Sequence, residues 1–111
     1  MAKIHFMIDE YDPTLKSFRD KIDSLDEKIV ELLIAREQII RDVSEIKYDQ
    51  DIPAVLEKRV QDVKDKVIQH AKENGADGAY IEEIYTHIIK TSCDLESYIF
   101  NQKQKREKKI S

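Results

Sequence analysis

From Leu15 to Ile46 an apolar side chain, or one arginine in its place, recurs at every third or fourth position without a break. The run is Leu15, Phe18, Ile22, Leu25, Ile29, Leu32, Arg36, Ile39, Val43 and Ile46. Gaps alternating between three and four are the heptad period, which sets all these residues on one stripe of a helix. No Gly or Pro interrupts the chain between Pro13 and Pro53. Asp12-Pro13-Thr14 carries a helix start, with Asp12 or Thr14 as the cap. The pattern predicts one helix from about Thr14 to Tyr48, on the order of 50 Å long at 1.5 Å per residue.

The rest of the chain is too short to cover such a stripe. Asp51 is the expected cap of a second helix, with Pro53 in its first turn. Its thinner stripe is Leu56, Val60, Val63, Val67 and Ala71, and Asn74-Gly75 is the stop signal. A third helix is expected from about Ala79 to Gln102, with Ile81, Tyr85, Ile88, Ser92, Leu95 and Ile99 on its seam. Two glycines, two prolines and 38% charged residues leave little for turns or sheet, so the class is all-α. Soluble monomers do not expose long apolar strips, so the expected architecture is an intertwined homodimeric bundle of three helices per chain, one very long. Residues 1–13 then form an N-terminal arm, 14–102 the helical domain, and 103–111 a basic tail expected to fray.

Net charge is −4, which argues against a nucleic-acid partner. The tail gathers Lys103, Lys105, Arg106, Lys108 and Lys109 against Glu107, but no aromatics interleave them, and a terminal charge run is ordinarily solvated. Cys93 stands alone, which rules out an intrachain disulfide and fits a reducing compartment. The opening MAKIHFMIDEYDP is too short and too acidic for a signal peptide, and nothing later approaches a membrane span. The expectation is a cytoplasmic protein with no membrane partner. His5, His70 and His87 have no ligand spacing with Cys93 or one another, and no glycine-rich phosphate loop occurs. Neither a metal nor a cofactor is expected.

The polar residues set on apolar stripes carry the chemistry. Arg36 alone has an ordinary reading, its stem on the core and its head in water or on a carboxylate. Lys47 lies eleven residues on, about three turns plus roughly 20°, and therefore shares its face. Arg59 opens the second helix beside its stripe, so three cations converge if that helix folds back. On the third helix Ser92 sits on the seam and Glu96 one turn beyond it. A helical Ser can bond its own backbone and a Glu can be solvated; their conjunction with the cations is what points to a site for a small anion. Arg19 precedes Arg36 by roughly 25 Å along the axis and about 100° around it. If Arg19 belongs to the same small site, it arrives from another subunit.

The stretch FRDKIDSLDEKIVELLIAREQIIRDVSEIK resembles the first helix of the all-helical chorismate mutases: an Arg, then ID-x-LD-x-x-I/L-x-x-LL-x-x-R, then a Lys eleven residues later. The resemblance runs from about Leu15 to Ser97. A relative with the same fold, isochorismate pyruvate lyase, is similar around IPA and KENG. The resemblance implies a homodimer in which Arg19 enters the partner's site and Arg36 and Arg59 bind the carboxylates of a small dicarboxylate. It implies that Lys47 contacts the ether oxygen and one carboxylate, that Ser92 lies near the ring carboxylate, and that Glu96 faces the ether oxygen from the other side. Lys47, Glu96 and Arg36 are then the catalytic residues. Leu56 and Val60 depart from the pattern, because many mutases carry Asp and Glu there and the Glu holds the substrate's hydroxyl.

The implied reaction is the [3,3] rearrangement of chorismate to prephenate, which needs no cofactor. It requires a compact conformer of a flexible dianion and stabilisation of charge growing on the ether oxygen. As a carboxylate Glu96 would repel that oxygen, whereas the protonated acid donates to it; burial favours the acid and nearby cations favour the carboxylate. The departures at Leu56 and Val60 keep isochorismate pyruvate lyase, or a mutase of an amino-substituted chorismate, as alternatives. A helical dimerisation or ligand-sensing module is the non-enzyme alternative, and the full cation set speaks against it.

Overall fold

Pro13, with its fixed φ and missing N–H, suits the first position of a helix, and Asp12 supplies the cap before it. In the computed structural model, which describes residues 12–110, Asp12 Oδ1 accepts from the Thr14 backbone N–H and from its hydroxyl, both at 2.8 Å. These contacts, the Thr14 backbone N–H foremost, hold the Asp12 carboxyl below the usual range. Helix α1 runs Pro13–Asp49, as the uninterrupted heptad pattern requires. Two helices follow, α2 (Glu57–Glu73) and α3 (Gly78–Ile110), and no strand forms among the described residues. The all-α expectation holds.

Two boundaries differ from expectation. Asp51 does not cap α2; it adopts a left-handed φ of 57°, which an Asp tolerates better than most residues. The Ile52 N–H returns to the Lys47 carbonyl at 2.8 Å, and the chain stays irregular until Leu56, whose φ and ψ of −112° and 106° are extended. Pro53 pushes its predecessor away from helical geometry, so the helix begins after this stretch. The tail, in turn, does not fray: α3 continues to Ile110.

The α2–α3 connection is a hairpin with readable chemistry. Gly75 has a φ of 76°, its N–H bonds the Lys72 carbonyl, and the Ala76 N–H reaches Ala71 at 2.9 Å. That pair of bonds satisfies the last carbonyls of α2 in a Schellman arrangement, where Gly adopts the left-handed turn at no steric cost. Asp77 then caps α3 through the Ala79 N–H at 2.9 Å. Gly78 lies against α2: a Cβ there would stand 2.9 Å from Lys72 Cε and 3.1 Å from an Ile68 methyl.

The chain divides into two compact units between Arg36 and Glu37. In the first, α1 carries local contacts such as Lys16–Asp20 at 2.8 Å and Lys21 over the Phe18 ring, while Phe18 and Leu32 remain 63% and 70% exposed. In the second, α2 packs on α3, and Ala71, Ile89 and Ile99 are buried. The remainder of α1 presents Ile40, Ser44 and Tyr48 inward at four-residue spacing. Ser44 is fully buried and donates to the Ile40 carbonyl at 2.7 Å. Its heptad neighbours Ile39 and Ile46 are 67% and 54% exposed.

Candidate active site

Lys47 occupies the last turn of α1, and Glu96 lies mid-way along α3. Lys47 Nζ stands 2.9 Å from Glu96 Oε1, and the two side chains are only 15% and 10% exposed. The same ammonium donates to the Ala54 carbonyl at 3.1 Å. An ammonium has three N–H donors, so Glu96 and Ala54 leave one for a further oxygen. Two groups of opposite charge, nearly closed to water, form a strong local dipole whose influence on a neighbouring charge is far larger than at the surface.

Ser92 lies one turn before Glu96, half-buried, and its hydroxyl donates to the Ile88 carbonyl at 2.9 Å. Arg59 sits on the exposed side of α2, where its guanidinium meets Asp62 at 3.0 Å. Lys66, and after it Arg59, hold the Asp62 carboxyl below the usual range. The structure therefore brings Lys47 and Glu96 together, with Ser92 on the next turn, and leaves Arg59 on Asp62. Arg19 and Arg36 belong to the first unit, Arg19 exposed and Arg36 half-buried. Leu56 is the residue before α2 and gives no side-chain cap, and Val60 is half-buried with its N–H on the Leu56 carbonyl.

Sequence reasoning missed one contributor. The Ala54 carbonyl is a backbone group, with no side-chain signal to mark it. Cys93, next to this region, has its thiol pushed up by burial and then by the Glu96 charge, which suits an inert packing thiol. Among the described residues, no helix is long and apolar enough to cross a membrane.

The family described as chorismate mutase type II matches residues 18–97. The chain is 30% identical over 95 residues to a chorismate mutase of Methanocaldococcus jannaschii, a match covering 86% of this chain and 96% of that one. It is 32% identical over 89 residues to a bifunctional chorismate mutase/prephenate dehydratase of Aquifex aeolicus, covering 77% of this chain and 24% of the relative. A protein of the same description from Buchnera aphidicola subsp. Schizaphis graminum is 27% identical over 88 residues, with 79% and 23% covered. The chain thus spans about a quarter of the length of each bifunctional relative.

Proposed function

The chain belongs to the chorismate mutase type II family, and we propose that its conversion of chorismate to prephenate runs at the Lys47–Glu96 pair. As a chorismate mutase it is an isomerase of aromatic amino acid biosynthesis. The near-buried 2.9 Å contact between Lys47 and Glu96 supports the placement. Such a pair, held rigid in a water-poor site, offers preorganised charge where the breaking C–O bond builds it.

The third Lys47 N–H donates to the ether oxygen as negative charge accumulates there. Arg36 and Arg59 neutralise the substrate's carboxylates, with Arg59 exchanging Asp62 for the ligand, and Ser92 lies toward the ring carboxylate. Glu96 keeps Oε1 on Lys47 and presents a protonated Oε2 to the ether oxygen. Glu96→Gln, whose amide N–H can donate to the same oxygen, is expected to retain activity on chorismate. A folded Glu96→Gln enzyme without activity on chorismate refutes the role.

The site is completed by a second copy. Residues 14–102 form the catalytic domain, with the arm and tail appended. The exposed stripe of α1 is too long and too apolar to stay in water, and a chain with this small a buried core gains most of its stability by pairing. Arg19 of the partner subunit then reaches the dicarboxylate. The same reading places the enzyme in the cytoplasm, where Cys93 stays reduced.

Parallel absorbance assays on chorismate and isochorismate test the assignment. Prephenate from chorismate is the expected outcome. Salicylate plus pyruvate from isochorismate would move the protein to the lyase activity, which the apolar Leu56 and Val60 accommodate. Silence on both substrates would leave a binding module.

A further inference from the structure

We propose that the C-terminal extension of α3 is a strap that positions Lys47 for the reaction, acting through Lys103, Tyr48 and Glu107. The proposal rests on the role given to Lys47 above. The family match ends at residue 97, whereas α3 continues to Ile110, so Phe100, Lys103 and Glu107 lie beyond the matched residues.

Lys47 stands in the final turn of α1, and just beyond it the chain turns sharply at Asp51. Terminal turns have unpaired carbonyls and open readily, a poor platform for a group that must be placed to a fraction of an ångström. Three residues of that same turn region are held from α3. Lys103 Nζ bonds Glu45 and, at 3.1 Å, Asp49, and lies 4.9 Å from the Tyr48 ring centre. The Tyr48 ring meets Phe100 edge-on at 5.3 Å, and its hydroxyl donates to Glu107 at 2.7 Å.

The residues responsible share one stripe. Glu96, Phe100, Lys103 and Glu107 recur at gaps of four, three and four on α3, so the strap and the catalytic carboxylate are one continuous face. Lys47 and Tyr48, neighbours on α1 pointing about 100° apart, both reach it. Glu96 takes Lys47, and the strap takes the residues on either side.

Polar contacts rather than close packing hold the strap. A cavity of about 540 Å³ opens beside it, lined by Tyr48, Asp49, Ile52, Pro53, Phe100 and Glu107. Isolated surface pairs contribute little. Here one ammonium, 16% exposed, is shared by two carboxylates and an aromatic face, an arrangement that sets register more than it adds stability. The Glu45 carboxylate, and then Asp49, hold the Lys103 ammonium above the usual lysine range, so the strap stays charged at any pH used for assay.

Loosening the strap should misplace Lys47 while leaving substrate binding largely alone, which lowers kcat and spares KM. The test uses the full chain with Lys103→Met, Lys103→Arg, Tyr48→Phe, Lys47→Met and the Lys103→Met/Lys47→Met double variant. Lys103→Met is expected to lower kcat roughly tenfold, less than the roughly 10²-fold that a full 1 Å misplacement can cost, and Lys103→Arg to restore most of it. In the Lys47→Met background the Lys103 change should cost nothing further, since the group it positions is gone. Hydrogen exchange at the amides of Gln50 and Ile52, which bond Ile46 and Lys47, should quicken in Lys103→Met. An unchanged kcat, or the same tenfold loss with and without Lys47, overturns the proposal. Should Lys103→Met fail to fold, Tyr48→Phe decides, because it removes only the hydroxyl bond to Glu107: a lowered kcat supports the strap and an unchanged one overturns it. If the wild type leaves chorismate untouched, the functional reading fails instead. The exchange rates then judge the strap alone, faster exchange supporting it and unchanged exchange overturning it.

Discussion

Lys47→Met is expected to lower kcat on chorismate by about 10²–10³-fold, the usual cost of removing one preorganised donor from a developing oxyanion. Methionine keeps an unbranched apolar stem while deleting the ammonium, so the change falls on charge rather than volume. Three contacts of that ammonium are at stake: Glu96 at 2.9 Å, the Ala54 carbonyl at 3.1 Å, and the substrate oxygen assigned to the third N–H. Only the last strengthens as the C–O bond breaks, so the loss should appear in kcat and kcat/KM together. Since Glu96 is left without its counter-charge, the variant's folding is checked by circular dichroism, and Lys47→Arg serves as a charge-retaining control. A folded Lys47→Met enzyme within about tenfold of wild type would remove Lys47 from the mechanism.

The second large effect concerns the partner copy. Arg19→Ala and Lys47→Met are each expected to abolish most activity as pure proteins. Co-refolded in equal amounts, half of the dimers are mixed. In each mixed dimer, one site receives an intact Lys47 from one chain and an intact Arg19 from the other. A two-fold symmetric dimer with shared sites therefore recovers about a quarter of wild-type activity. If Arg19 served the site of its own chain, every site in the mixture would lack one of the two groups, and no recovery would occur. The measurement is the chorismate rate before and after chain exchange, and it also tests the dimer itself.

Why Arg19 must be tested in solution follows from what surrounds it. Its stretch of α1 has Phe18 and Leu32 largely exposed, and such a helix gains little from its own residues beyond pairs like Lys16–Asp20. Chain exchange therefore tests in one measurement both the proposed pairing of this face and the proposed cross-subunit role of Arg19.

Local signals in the sequence were strong where a single residue type settles the backbone. Asp12-Pro13, Asn74-Gly75 and the unbroken heptads gave the limits of α1 and the hairpin turn, because capping oxygens, a fixed φ and a left-handed glycine act within a few bonds. They misled at Asp51, where a good capping residue was recruited into a left-handed turn. The Lys47 carbonyl holds Ile52 and the Lys47 ammonium holds Ala54, and these contacts delay α2 until Glu57. The tail's cations look solvated in a linear string, which is the reason to expect fraying; Lys103 and Glu107 are helical because Glu45, Asp49 and Tyr48 meet them from α1.

The order of amino acids settled the helical class and the long first helix, and it supplied the family pattern. All of these depend on periodicity and on short-range backbone preference, which any reader of the chain can count. Which charges meet was decided by folding: Lys47 joins Glu96 across 49 positions, while Arg59 turns aside to Asp62. Pairing energies depend on distance and on the water left between groups, and neither quantity exists until α1 and α3 are laid side by side.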